Sequence, residues 1–179
     1  MARILEIAEL GAPVIRLQAA TVTDVHDHQL QHFIDDLIMT AADEKGMGIA
    51  APQVSVSKRI IILSAHPNAR YPYAPSMVPT AMINPELTWV SPDMNKDWEG
   101  CLTVPGIRGL VSRHQSIRVR FQNREGVLIE SKYEGFLARI FQHEVDHLDG
   151  LVFLDRVEST KDLITEKEWK KIIAQGSQS

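Results

Sequence analysis

The chain has 179 residues, 44% of them hydrophobic, and 19 Lys+Arg against 23 Asp+Glu give a formal net charge of −4. That is enough for one globular domain with a full core spanning residues 1–179, and it speaks against a broad nucleic-acid-binding face. No apolar run reaches the ~18 residues of a membrane span, Met1 to Glu6 does not read as a signal peptide, and the single cysteine, Cys101, excludes an internal disulfide; a cytoplasmic protein is expected.

In chain order, Thr23 is placed to cap a helix that runs to about Lys45 and stops at Gly46. Leu30, Phe33, Ile34, Leu37, Ile38 and Ala41 recur at helical spacing and predict its core face. His28 and His32 fall on the opposite side among Asp24, Asp35 and Asp36, which predicts a solvated polar face, whereas His26 leans toward the apolar side as a core-edge histidine. Gly46 to Gln53 alternates glycines with small residues. Such a run serves either as a tight helix-to-strand connection or as a strand edge that a peptide backbone can approach. Lys58 to Leu63 reads as a buried strand. Prolines 67, 72, 75, 79 and 85 predict a loop from about His66 to Pro85, with at most short strands.

Ser116 to Gln122 and Val127 to Tyr133 alternate in polarity around the turn Asn123-Arg124-Glu125-Gly126, which predicts a hairpin. A helix from about Phe136 to Asp149 follows, ending at Gly150. Thr165, with Glu168 three residues on, opens a short C-terminal helix bearing Trp169, Ile172 and Ile173, with residues from Gly176 to Ser179 frayed. Strands outnumber helices and are not interleaved with them. The expected class is α+β: antiparallel or mixed strands packed around a central helix, with an N-terminal helix and a short C-terminal one.

The central helix carries the chemistry. Phe136, Leu137, Ile140, Phe141 and Leu148 form an apolar stripe, and His143, Glu144 and His147 fall on the same stripe. Histidines four apart on a helix can hold one metal ion, with Glu144 beside it to take a proton from water. A glutamate buried there without such a role would be costly. Two histidines leave a catalytic metal site one protein ligand short. Cys101, in Glu99-Gly100-Cys101-Leu102-Thr103, offers a thiolate, although a lone cysteine is also a small buried hydrophobe, and a nucleophile paired with His114, His143 or His147 is a further option. A zinc endopeptidase would draw its third ligand from Asp149 or Asp155, at spacings that fit no metzincin pattern. A purely structural metal module would leave Glu144 without a purpose.

Gly46 to Gln53, Glu99 to Thr103 and His143 to His147 together resemble, in order and spacing, the three motifs of the peptide deformylase family. Those motifs are a Gly-apolar-Gly-apolar-Ala-Ala-x-Gln run, a Glu-Gly-Cys-apolar-Ser run, and His-Glu-x-x-His with Asp fourth. The resemblance covers about residues 3–165, and Thr103 keeps the hydroxyl where the family usually has Ser. It implies a metal-dependent hydrolase that removes the formyl group from the N-terminal methionine of nascent chains. Cys101, His143 and His147 would bind one divalent ion, Fe(II) in the cell with Zn(II) or Ni(II) as substitutes. Glu144 would be the general acid/base, and Gln53 with the Leu102 N–H the oxyanion site. Gly48 and Gly100 would pair with the substrate backbone, while Met47, Phe136, Ile140 and His143 line the methionine pocket. Arg108 would touch substrate, and Glu99 and Arg113 would form an ion pair behind the cysteine. The implied partners are nascent N-formylmethionyl peptides and the ribosome near its exit site, through a tail bearing Lys167, Lys170 and Lys171, with no nucleic-acid specificity and no membrane.

Overall fold

The computed structural model describes residues 2–176. The wholly apolar run Ile60–Leu63 forms β2, buried on both faces. It pairs with β1 (Gly48–Ala50) on one side and β3 (Thr80–Val90) on the other. β6 (Ser116–Gln122) and β7 (Leu128–Glu134) complete a five-stranded antiparallel sheet in the order β1-β2-β3-β6-β7. A second antiparallel sheet joins β4 (Met94–Cys101), β5 (Val104–His114) and β8 (Leu163–Thr165) in that order. β1 and β4 are therefore both edge strands.

Helix α2 (Gly135–Leu148) lies between the sheets and contacts β1, β2, β6 and β7 on one side and β5 on the other. It is buried well beyond one stripe. Ala138, Phe141, Val145 and Leu148 enter the main core, and Arg139, Gln142 and Asp146 are buried on the opposite face, where each finds polar partners. Helix α1 (His28–Asp43) covers the other face of the large sheet through Leu30, Ile34, Leu37 and Ala41. Helix α3 (Glu166–Gly176) closes the chain, its Glu168 N–H turned to the Thr165 hydroxyl as the capping signal predicts, and Trp169 is buried. The class is α+β, arranged around α2 as expected.

Local departures have identifiable causes. α1 is capped by Asp27, which accepts from the Gln29 N–H (2.7 Å), not by Thr23, so the helix starts later and His26 stands exposed before it. At the other end Lys45, not Gly46, adopts the left-handed conformation (φ 53°). Lys45 and Gly46 return N–H bonds to Ala42 and Ala41, which is a Schellman closure with glycine one position late. His28 and His32 are exposed, as expected, but Asp36 is buried: it accepts from the Arg3 backbone N–H (2.8 Å) and Arg3 Nε (3.1 Å), and Thr40 accepts from the Leu5 N–H. The polar face of α1 is thus partly a dock for the N-terminal segment. Beyond Pro79 the expected loop is a long strand, β3, which carries Pro85 because the ladder slips there: Asn84 has φ 52° and the register shifts between Ile83 and Glu86. In α3 the helix reaches Gly176, and the fraying expected for 177–179 lies outside the described residues.

Candidate metal centre and active-site cleft

A cavity of about 410 Å³ opens between the edges of β1 and β4, floored by α2. At its inner end the side chains of Cys101, His143 and His147 present donor atoms within 4.8 Å of one another. Cys101 reaches α2 because the β4–β5 ladder breaks between Gly100 and Cys101, where the register jumps from Gly100↔Arg108 to Cys101↔Val104. Its Sγ stands 3.2 Å from His147 Nε2. His143 Nδ1 donates to Glu99 Oε2 (2.8 Å), which leaves its Nε2 lone pair for the cluster. Ligand bonds of about 2.0–2.3 Å place the donors of one ion roughly 3–4 Å apart, so a thiolate and two imidazoles at this spacing fit one divalent ion with room for water. Burial alone would push the Cys101 thiol up; the two imidazoles outweigh it and hold the thiol well below its usual value.

Behind His143 lies a buried charge network. Glu99 takes a bidentate pair of bonds from Arg113 (both 2.9 Å) and a third from Arg139 (2.8 Å). Arg113 also donates to Asp146 (2.6 Å), which Arg156 holds from the other side. Burial would raise the Glu99 carboxyl, but the His143 bond and the Arg113 cation bring it well below the ordinary range. The Glu99–Arg113 pair is the one that the family resemblance implies, and Arg139 and Asp146 join it outside that expectation. A cationic side chain one turn before a buried His pair was the available signal.

In front of His143 the setting is different. Glu144 is 4% exposed, its Oε2 has no hydrogen-bond partner among the described residues, and burial pushes it up to about 7 against the pull of His143 and His147. Its Oε1 lies 2.6 Å from where a Cβ on Gly48 would stand, so any larger residue there would force the Glu144 side chain to shift. Gln53 is buried, with Oε1 accepting from the Ala50 N–H (2.8 Å) and Nε2 directed at Cys101 Sγ (3.4 Å) and Thr103 Oγ1 (3.2 Å). Met47, Gly48, Gly100, Leu102, Phe136, Ile140 and Arg108 all line the same cavity. The residues of the three motifs and those that the family resemblance adds to them therefore converge on one place.

The alternative ligands Asp149 and Asp155, and His114 as a partner for a cysteine nucleophile, do not. Asp149 pairs with Arg59 (2.8 Å), Asp155 pairs with Arg16, and His114 Nδ1 is bonded to the Ser91 carbonyl (2.6 Å). None of them is in the donor cluster.

The chain is similar to proteins already known. The sequence profile of the polypeptide deformylase family matches residues 4–163. Peptide deformylase 2 of Nostoc sp. is 51% identical over 174 residues, 97% of each chain. The crystal structure of a Met-Ala-Ser-bound class I type b peptide deformylase from Acinetobacter baumannii superposes with a TM-score of 0.85 at 42% identity, covering 88% of this chain and 100% of that one. A peptide deformylase from Thermotoga maritima gives 0.78 at 36%, covering 88% and 99%. By profile, sequence and fold, the chain belongs to the peptide deformylase family, metal-dependent hydrolases that remove the N-formyl group from nascent peptides.

Proposed function

We propose that residues 1–179 form one catalytic domain in which Cys101, His143 and His147 hold the metal and Glu144 carries the proton. The observation that supports this most directly is the thiolate–imidazole donor cluster beside a buried glutamate whose Oε2 has no hydrogen-bond partner among the described residues. A divalent ion there supplies Lewis acidity and brings the pKa of water toward neutrality. Glu144, adjacent to the donors, takes the proton from the attacking water and returns it to the leaving amine. Water adds to the formyl carbon, the C–N bond breaks, and formate and a free N-terminal methionine leave. Gln53 Nε2 and the Leu102 N–H donate to the oxygen on which negative charge develops; a donor of this kind typically contributes ~10²–10³ in rate.

The rest of the cleft serves a substrate that is mostly backbone. Gly48 on β1 and Gly100 on β4 border the cavity on edge strands, where an extended peptide can add its own hydrogen bonds. Met47, Phe136, Ile140 and His143 form the pocket for the first side chain, and Arg108 meets the peptide further along. The Met-Ala-Ser bound to the A. baumannii relative is a peptide of this kind. In the cell the ion is Fe(II), with Zn(II) or Ni(II) as substitutes, since thiolate and imidazole ligands accept all three. The enzyme works in the cytoplasm on nascent N-formylmethionyl chains, with the exposed Lys167, Lys170 and Lys171 available to the ribosome near the exit site. No helix among the described residues is long and apolar enough to cross a membrane.

The test is formate release from formyl-Met-Ala-Ser by anaerobically prepared protein, with metal analysis on the same sample. Stoichiometric metal and rapid formate release are expected, and casein should stay intact. Internal cleavage of casein with no formate release would replace this reading with a protease.

A further inference from the structure

We propose that Trp169 is a positioning residue for peptide recognition: the C-terminal helix fixes Arg108 over the β4 edge, and through it the enzyme reads substrate residues beyond the first. The proposal rests on the reading of Arg108 as a peptide contact.

Gly100 and Arg108 are direct cross-strand partners in the β4–β5 ladder. Because Gly100 has no side chain, the guanidinium folds down over it. Arg108 Cζ lies 2.8 Å, and Nε 3.0 Å, from the point where a Cβ on Gly100 would stand. The opposite face of the guanidinium is covered by the Trp169 ring, whose centroid is 3.9 Å from Cζ, well inside the ~6 Å range of cation–π attraction. Around the rim, Nη1 donates to the Tyr71 hydroxyl (2.7 Å), and Glu166, at the start of α3, stands 3.7 Å from Nη2.

Arg108 is 4% exposed, yet its Nε has no hydrogen-bond partner among the described residues. A buried donor without an acceptor is unfavourable, so the guanidinium is held in place by its packing between Gly100 and the Trp169 ring and not by a hydrogen bond at Nε. Trp169 is itself 3% exposed and stands 6.4 Å from Tyr71, which stands 5.1 Å from Phe136. A row of rings thus runs from α3 to the cleft wall. An arginine free in solvent would have to lose its rotamer freedom on each binding event; this one is ordered before the peptide arrives.

The experiment compares steady-state kinetics on formyl-Met-Ala-Ser and on formyl-Met, using metal-loaded full-length enzyme. Trp169→Met keeps apolar volume but removes the π face. It should raise KM for the tripeptide about 3- to 10-fold with kcat unchanged, and leave KM for formyl-Met within about twofold. Trp169→Phe should recover part of the loss, and Glu166→Gln, at a half-buried site, should shift the tripeptide KM in the same direction by less. A loss equal on both substrates, or no change on either, overturns the proposal. Should Trp169→Met not fold, unchanged substrate ratios in Trp169→Phe and Glu166→Gln overturn it as well. Arg108→Met separates the layers. If it abolishes the advantage of the longer peptide while the Trp169 variants do not, only the proposal fails; if it leaves that advantage intact, the reading of Arg108 fails and the proposal with it.

Discussion

Glu99 and Glu144 are both 4% exposed, and one stands on each side of His143, yet they end in opposite states. Behind the histidine, both oxygens of Glu99 are engaged by Arg113, Arg139 and His143, and the carboxyl stays ionised well below the usual range. In front of it, one oxygen of Glu144 has no partner among the described residues, and burial pushes the carboxyl up to about 7. Burial is the same; the neighbours differ. Depth in the core therefore says nothing of a carboxylate's work, because its partners decide whether it is a fixed charge or a proton carrier.

The largest expected effect breaks the front half of this contrast. Glu144→Ala should lower kcat for formyl-Met-Ala-Ser by about 10²–10⁴-fold while metal content stays at one per chain; turnover near the wild-type level would remove Glu144 from the chemistry. The next breaks the back half. Glu99→Gln leaves Arg113 and Arg139 facing a neutral amide, and loss of one member of a buried ionic group costs about 3–5 kcal/mol. Glu144→Gln, which removes no ion-pair partner, should fall within about 1 kcal/mol of wild type or above it. Urea denaturation of the metal-free proteins measures both, and equal losses would refute the distinction.

Much of this was readable beforehand because it depends on local pattern. The His143–His147 spacing, the β6–β7 hairpin and the apolar β2 run are dictated by periodicity, and the structure places them as expected. What escaped depends on pairing between distant segments. Nothing around Asp36 announces that the Arg3 backbone will dock on it, and Pro85 disguises a strand whose bulge is visible only once β3 meets β6. Arg139 looks like an ordinary helix former until β4 brings Glu99 beside it. Convergence of Cys101 with the histidines was likewise beyond spacing alone, and it came from the resemblance of three motifs rather than from geometry.

A smaller effect sharpens the front region. Gly48→Ala places a methyl 2.6 Å from Glu144 Oε1, closer than real Cβ contacts come, so the carboxylate must shift. Displacement of a reacting group by a fraction of an ångström should lower kcat/KM about tenfold, with metal content and fold retained. Full activity would mean that Glu144 has more freedom than its packing indicates.

The smallest effect tests a third buried carboxylate that lies between the two. Asp36 is 7% exposed, and its bonds come from the Arg3 backbone N–H and from an Arg3 side chain that is mostly in solvent. The backbone N–H lowers its carboxyl and outweighs the burial that opposes it. Its folded value therefore lies below the unfolded one of ~3.9. The stability it contributes is complete above that unfolded value and is lost as pH falls through the folded one. Asp36→Asn should cost about 1–2 kcal/mol at pH 7, with the gap to wild type narrowing below about pH 4. A gap that stays constant down to pH 2 would show that Asp36 acts through hydrogen-bond geometry alone, and that the fixed charge at Glu99 needs its buried arginines.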